Sequence, residues 1–464
     1  MAEKIYNVAV IGGGPAGYVA AIRAAQLGGS VILFEKDTVG GTCLNRGCIP
    51  TKTYLKTAEM IHTIQNASLR GVLNDPATAV DMDKVVACKN QVVRQLTGGV
   101  AALLRSNGVT VVNGTAALSG KNSIDCGGKR YEAESIILCG GSKAIRIPIE
   151  GIENPNVLTS TEILDLRELP KKLVILGGGV IGCEMASAFQ AFGSEVTIVE
   201  AADCLIPMMD RDLSDFLTKA MEKQRVRLLL GRKVVSIADE TGKTVLLCDD
   251  GTRLEADKIL LSVGRGTDLS CLGTMENEIR TERGKIVADS GMRTNIPNIY
   301  AAGDVNGQLM LAHTAFKMGE VAAENAMGGS SVCDLNAVPS CVYTIPQVAS
   351  VGLTEEAAVQ KYGREAIKVG RFPLSANGRS LASGDTDGFV KVVVLEKYSE
   401  LCGVHICGAH AAEMIDEPTA LMAAEVTCEE AAGAIHAHPG LSEAFMEACG
   451  DALGHCIHLP KKKI

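Results

Sequence analysis

What this 464-residue chain lacks first is a surplus of positive charge: 45 basic against 54 acidic residues leave it at -9. A sequence-independent grip on nucleic acid needs a basic surface, so no nucleic-acid partner is expected. The composition of a disordered chain is missing too, since 47% of residues are hydrophobic and 21% charged. No basic segment leads from Met1 into an apolar run with a small-residue cleavage site, so no export signal is expected and the reading is cytoplasmic. One stretch, 173–193, carries Glu184 as its single charge and approaches the length of a membrane span. Its β-branched opening and the break at Gly177-Gly178-Gly179 read instead as strand, turn and helix, and no membrane partner is expected. Cysteine is not scarce, at 16, but the chain is too long for a small secreted disulfide scaffold. No pair of cysteines with matching ligand spacing completes a zinc site, so no metal is expected. Most cysteines, such as Cys139, Cys183 and Cys248, stand singly in apolar runs and read as small buried hydrophobes in a reducing compartment.

Glycine is abundant, at 50 residues, and clustered. Residues 7–11 read as a strand, followed by Gly12-Gly13-Gly14-Pro15-Ala16-Gly17, an Ala-rich helix over 18–27, and a strand over 30–34 that ends in Glu35. Residues 173–200 repeat the plan: strand 173–176, Gly177-Gly178-Gly179-Val180-Ile181-Gly182, helix 183–192, and strand 195–199 ending in Glu200. From Gly12 to Gly177 and from Glu35 to Glu200 the offset is the same 165 positions. A lone GxGxxG says little, but each copy here has its strand, helix, second strand and acid in order. Gly12 and Gly177 make the turn, Gly14 and Gly179 let backbone approach a pyrophosphate, and Gly17 and Gly182 pack helix on strand. The helix N-terminus offers free N–H groups to phosphate. Glu35 and Glu200 are placed to accept from a ribose 2′-OH. Two copies mean two dinucleotides. Glu200 would repel a 2′-phosphate, and Ala201, Ala202 and Asp203 bring no arginine, so the second site favours NAD over NADP.

Further strands are expected near 134–139 and 258–263, and Ile299-Tyr300-Ala301-Ala302-Gly303-Asp304 reads as a strand running into a turn. Gly328-Gly329-Ser330-Ser331 reads as a hinge. Beyond it come alternating runs such as 389–394 and a helical stretch over 413–434, which together suggest a separate α+β domain. Lys461, Lys462 and Lys463 read as a solvated end.

Cys43 and Cys48 follow closely on Glu35, in Gly41-Thr42-Cys43-Leu44-Asn45-Arg46-Gly47-Cys48. In a regular helix residues five apart are separated by about 7.5 Å of rise, more than a disulfide spans. If the pair is bonded the segment is distorted, and Gly47 and Pro50 favour that. Cys402 and Cys407 have the same spacing, but their run reads as a strand, which sends the two side chains to opposite faces; they are expected to be structural. In His436-Ala437-His438-Pro439-Gly440-Leu441-Ser442-Glu443 a turn at Pro439 would let Glu443, on a following helix, hold His438. A carboxylate raises an imidazole's basicity and fixes its tautomer, and an imidazole beside a thiol can hold the thiolate. By spacing alone a core or solvated histidine pair explains these residues equally well.

Taken in order, these motifs, with Lys52, Glu184, Asp304 and Leu311-Ala312-His313, resemble the pyridine nucleotide–disulfide oxidoreductases over nearly the full length, and within them the branch that oxidises dihydrolipoamide. The resemblance implies an α/β fold with two Rossmann-like dinucleotide-binding domains and a C-terminal α+β dimerisation domain. It implies an FAD domain over 1–145 and 266–335, an NAD domain over 146–265, and an interface domain over 336–464. FAD would occupy the first Gly-rich fold with Asp304 beside its ribityl and phosphate region, and NAD the second. Cys43 and Cys48 would form a redox disulfide, Cys43 exchanging with substrate and Cys48 lying against the flavin. His438, oriented by Glu443 and supplied by the other subunit of a homodimer, would be the thiol base. Lys52 and Glu184 would be the charged pair where nicotinamide stacks. The implied reaction oxidises protein-bound dihydrolipoamide to lipoamide and reduces NAD+ to NADH. The lipoyl-bearing partner would belong to a 2-oxo acid dehydrogenase complex or the glycine cleavage system, and no lipoyl domain is expected on this chain. The rival reading is a reductase of glutathione-like small disulfides, which more often uses NADPH. Three places depart from the family pattern. Cys139-Gly140-Gly141-Ser142 stands for Ala-Thr-Gly-Ser, Gln347 for Glu, and Gly440 for Thr.

Overall fold

The structure, a computed structural model, describes residues 5–72, 79–240 and 242–460; the expected solvated lysines at 461–463 lie outside them. The first sheet has seven strands, in the order Thr110–Asn113, Val31–Glu35, Ile5–Ile11, Lys129–Leu138, Ser123–Cys126 and Ala116–Gly120, with Ile299–Ala301 added beside Lys129–Leu138. Val31–Glu35, Ile5–Ile11 and Lys129–Leu138 run parallel, with Ile11 opposite both Phe34 and Leu138. That register ends three strands level with Gly12, Glu35 and Cys139, so loops carrying chemistry gather at one edge, where open α/β sheets bind ligands. The apolar runs of these strands are buried on both faces, as a covered parallel sheet requires. The chain leaves this sheet and returns to it at Ile299–Ala301.

Between those visits lies a five-stranded parallel sheet in the order Arg227–Leu230, Glu195–Glu200, Lys172–Leu176, Lys258–Leu261 and Val157–Leu158. The low-charge stretch from 173 resolves as strand Lys172–Leu176 and helix Val180–Phe192. No helix among the described residues is long and apolar enough to cross a membrane. A three-stranded antiparallel sheet, Val234–Glu240, Lys243–Cys248 and Arg253–Ala256, packs over the second.

The C-terminal part is an antiparallel five-stranded sheet, Ser340–Val342, Gln347–Gly352, Glu400–Gly408, Phe389–Leu395 and Ile367–Pro373, covered by helices. Here one expectation is refined and another fails. The helical stretch over 413–434 is three short helices, Ala411–Met414, Asp416–Ala423 and Cys428–Gly433. Glu425 takes a positive φ of 55°, and Thr427 with Glu430 forms a capping box that starts a new helix. The segment 328–331 is fastened rather than hinged. Buried Asn325 donates Nδ2 to the Ser331 carbonyl at 2.8 Å and accepts from Ser331 N at 2.7 Å.

Candidate active site

The two Gly-rich loops are near copies in geometry as well as in sequence. Gly12 N donates to Phe34 O at 2.8 Å, and Gly177 N to Val199 O at 2.9 Å. Both turn with positive φ, 103° and 108°, which glycine alone adopts without cost. A Cβ on Gly12 would lie 2.2 Å from Cys139 O, and one on Gly17 or Gly182 would strike the preceding turn at 1.8 or 2.0 Å. Gly14 and Gly179 begin helices Pro15–Gln26 and Val180–Phe192 with no side chain capping the first turn. Around Gly179 there is open space within 4 Å. This is the cradle a pyrophosphate needs.

Each closing acid is held by two N–H groups. Glu35 accepts from Gly13 N at 2.7 Å and Asp37 N at 2.8 Å; Glu200 accepts from Gly178 N at 2.6 Å and Ala202 N at 2.7 Å. Both carboxylates are thereby aimed along their loops with lone pairs to spare for a hydroxyl. Beside Glu35 a cavity of about 460 Å³ is lined by Thr38, Val39, Leu104, Arg105 and Asn113 among others. Sequence reasoning missed that lining, which comes from the loop after Val31–Glu35, from Thr110–Asn113 and from the helix Met82–Ser106.

The cysteine pair sits where one helix is interrupted. Gly41–Arg46 is helical, Gly47 leaves the helix at φ -139° and ψ -110°, and Cys48–Asn66 resumes it. The expected distortion is therefore real, although both cysteines are free thiols here. The two sulfurs share a hydrogen bond that pushes the Cys43 thiol up and pulls Cys48 down to about 7. Acceptance from Cys43 is the largest cause for Cys48; burial opposes it, and the Lys52 ammonium adds to it. Lys52 stands one helical turn beyond Cys48, on the same face. Its Nζ lies 2.9 Å from both Glu184 oxygens and 4.4 Å from the centre of the Tyr343 ring. Glu184, 3% exposed, also accepts from Tyr343 N at 2.9 Å. The structure thus joins Lys52, from the cysteine helix, to Glu184 of the second Gly-rich fold and to the C-terminal part.

Asp304 begins a short turn after Ile299–Ala301 and accepts from Ser142 Oγ. Arg265 donates to Ser142 from Nε at 2.8 Å and to the Ser142 carbonyl at 2.7 Å. Burial lowers the Arg265 pKa, while the charges of Asp304 and Cys48 oppose that. Sequence reasoning placed Ser142 only within the family motif 139–142, and Arg265 and Tyr343 escaped it because nothing local links them to the cysteines. His438 and Glu443 are brought together, Nδ1 to Oε1 at 2.9 Å, on the C-terminal part. The imidazole is 78% exposed, so one chain does not enclose it.

The departures have physical counterparts. A Cβ at Gly440 would meet Ala437 O at 2.5 Å. One at Gly140 would lie 2.7 Å from Asp268 O and 3.0 Å from Cys271 Sγ. Gln347 accepts from Ala412 N at 3.1 Å. Of the cysteines taken as packing, Cys88 is exposed, while Cys341 and Cys456 are half-buried; Cys88 lies on the outer face of helix Met82–Ser106. No cluster that could hold a metal ion occurs among the described residues.

Family models match two stretches of the chain. Residues 6–319 match the pyridine nucleotide-disulphide oxidoreductase model, and 338–449 match the dimerisation domain of the same family. The chain belongs to the pyridine nucleotide-disulphide oxidoreductases. It is 40% identical to the dihydrolipoyl dehydrogenase of Chlamydia muridarum, covering 99% of each chain. It is 38% identical to that of Bacillus subtilis, covering 97% of this chain and 100% of the relative. Among solved structures it is similar to the HOCl-induced flavoprotein disulfide reductase RclA of Escherichia coli, with a TM-score of 0.85, 31% identity and coverage of 96% and 99%. Membership makes this protein an oxidoreductase, and the match at 338–449 gives it the family's dimerisation domain.

Proposed function

We propose that this oxidoreductase carries out the oxidation of protein-bound dihydrolipoamide to lipoamide with NAD+ as acceptor, as a homodimer holding FAD and NAD. The observation that supports it most is the coupled pair Cys43 and Cys48 beside the Lys52–Glu184 bridge. FAD is assigned to the fold of Gly12, Gly14, Gly17 and Glu35, with Asp304 beside it, and NAD to that of Gly177, Gly179, Gly182 and Glu200. The Cβ-free cradles and the uncapped helix starts fit both groups. The domain division proposed is 1–145 with 266–335 for FAD, 146–265 for NAD and 336–464 for the dimer interface. The partner is a lipoyl-bearing protein of a 2-oxo acid dehydrogenase complex or the glycine cleavage system, and the compartment the cytoplasm.

Thiol–disulfide exchange sets the order of steps. One substrate thiolate attacks Cys43 Sγ of the Cys43–Cys48 disulfide, the S–S bond breaks, and Cys48 leaves as a thiolate. The second substrate thiolate attacks the substrate sulfur of the mixed disulfide. Lipoamide departs, and Cys43 leaves and takes a proton. Two electrons have then passed to the cysteine pair, leaving it a dithiol with Cys43 protonated. Cys48 is suited to leave because its thiolate is favoured by Cys43 and Lys52. His438, held by Glu443, takes the substrate proton and returns it to Cys43; its exposure in one chain fits delivery to the partner subunit. Bound FAD supplies the two-electron acceptor between this dithiol and NAD+.

Turnover of dihydrolipoamide with NAD+ tests the reading. Replacing a nucleophile that forms the covalent intermediate is expected to cost about 10³-fold or more, so Cys43→Ser should lose nearly all turnover. A Cys43→Ser enzyme as fast as the parent, or a preference for NADPH over NADH, would overturn it.

A further inference from the structure

The segment 434–442 carries His438 on the surface, so packing around the ring does not hold it. What holds the loop is a set of bonds to its other groups. His436, two residues earlier, is 8% exposed in its side chain, and both its nitrogens meet acceptors. Nδ1 lies 2.9 Å from the Ala434 carbonyl, and Nε2 lies 2.6 Å from Glu417 Oε1. Both partners offer acceptor oxygens, so the ring is held from two sides at once. Glu417 belongs to helix Asp416–Ala423, so the pair ties the loop to a neighbouring element. The far end of the loop is tied separately. Buried Asn377 donates Nδ2 to the Gly440 carbonyl at 2.9 Å, and Gly440 N donates to Glu443 Oε2 at 2.8 Å. The Glu443 carboxyl is held below the ordinary range by that Gly440 N–H first, then by His438 and by the His436 charge.

We propose that His436, paired with Glu417, is a positioning residue for the thiol chemistry: it fixes the loop that presents His438 and sets the His438–Glu443 contact. It touches no reacting atom and acts through His438. The inference rests on the reading of His438 as thiol base, and it adds a buried anchor to that pair.

The test is a mutant cycle on the full-length dimer, with dihydrolipoamide and NAD+ as substrates and thermal unfolding as a check on the fold. His436→Ala is expected to lower kcat about tenfold, since a loosened catalytic group costs that order, with KM for NAD+ within about twofold. Added to His438→Gln, the same change should cost less than about twofold further, because groups acting as a unit are not additive. His436→Gln, which keeps one donor for Glu417, should restore part of kcat. Should the alanine variant unfold, Glu417→Gln probes the same link without altering the loop, and about a threefold loss is expected. A single His436→Ala variant with wild-type kcat, or equal losses in both backgrounds, overturns the inference. Full turnover by His438→Gln would instead overturn the reading of the site beneath it.

Discussion

Cys43–Cys48 and Cys402–Cys407 have the same spacing and opposite fates. The first pair flanks a broken helix, its sulfurs are hydrogen-bonded to each other, and a lysine one turn away favours the thiolate on Cys48. The second lies on strand Glu400–Gly408. Cys402 packs with Val393 and Leu395, and Cys407 with Phe389 and Val348, in different clusters. Burial pushes both of these thiols up. The difference teaches that a CxxxxC interval carries no chemistry of its own. The backbone decides whether the sulfurs meet, and the surrounding charge decides which one ionises.

Among changes that leave both thiols in place, the largest effect should come from mending the break. A Cβ at Gly47 would lie 2.9 Å from Thr42 O, so Gly47→Ala must move the turn that carries Cys43. A displacement on the order of 1 Å at reacting atoms costs about 100-fold. Turnover of dihydrolipoamide is expected to fall by 10- to 100-fold on that scale, with the fold intact by thermal unfolding. Unchanged kcat would show that the thiols meet without help from the break.

A smaller effect should follow from removing the field. Lys52 lowers the Cys48 pKa, and Glu184 raises it. In Lys52→Met the cation is gone and the Glu184 carboxylate, 3% exposed, loses its partner; both changes disfavour the thiolate. The Cys48 pKa should rise from about 7 toward the ordinary thiol value of about 8.5. Since the thiolate is the reactive form, alkylation of the reduced enzyme near neutral pH should slow several-fold and recover as pH rises past the new value. An alkylation profile unmoved by the substitution would transfer the whole shift to Cys43.

Much of this was legible because it is local. The Gly-rich repeats, their acids and the strands around them depend on neighbours within about thirty residues, and the sheets place them as the spacing implies. Helix rise pointed to a distortion only on the condition that Cys43 and Cys48 are bonded, with Gly47 and Pro50 favouring it; the break is present although the thiols are free. The Lys52–Glu184 bridge spans 132 positions, and only the family resemblance linked its ends. Tyr343 and Arg265 carried no signal of their own, because tertiary contact creates their roles; Ser142 was marked only as part of the family motif 139–142. The helical stretch over 413–434 misled because its Ala and Glu content favours helix, while Glu425 and the capping box at Thr427 divide it.

The smallest effect sharpens the comparison from its inert side. Cys407 is fully buried, and its sulfur lies 3.9 Å from the Phe389 carbonyl, so it serves as a small hydrophobe with a weak donor. Cys407→Ala removes one sulfur from a packed core, a loss on the order of 1 kcal/mol in stability. It leaves no charged group unpaired, and the Cys43–Cys48 dithiol lies on a different element. Turnover of dihydrolipoamide should therefore stay within about twofold of the parent, with a slightly lower unfolding midpoint. Native Cys407 should also resist thiol reagents until the protein unfolds, whereas the Cys43–Cys48 dithiol should react in the folded state. Rapid labelling of Cys407 in the native enzyme, or a collapse of turnover in Cys407→Ala, would mean that equal spacing does carry shared chemistry and that the strand does not keep the second pair apart.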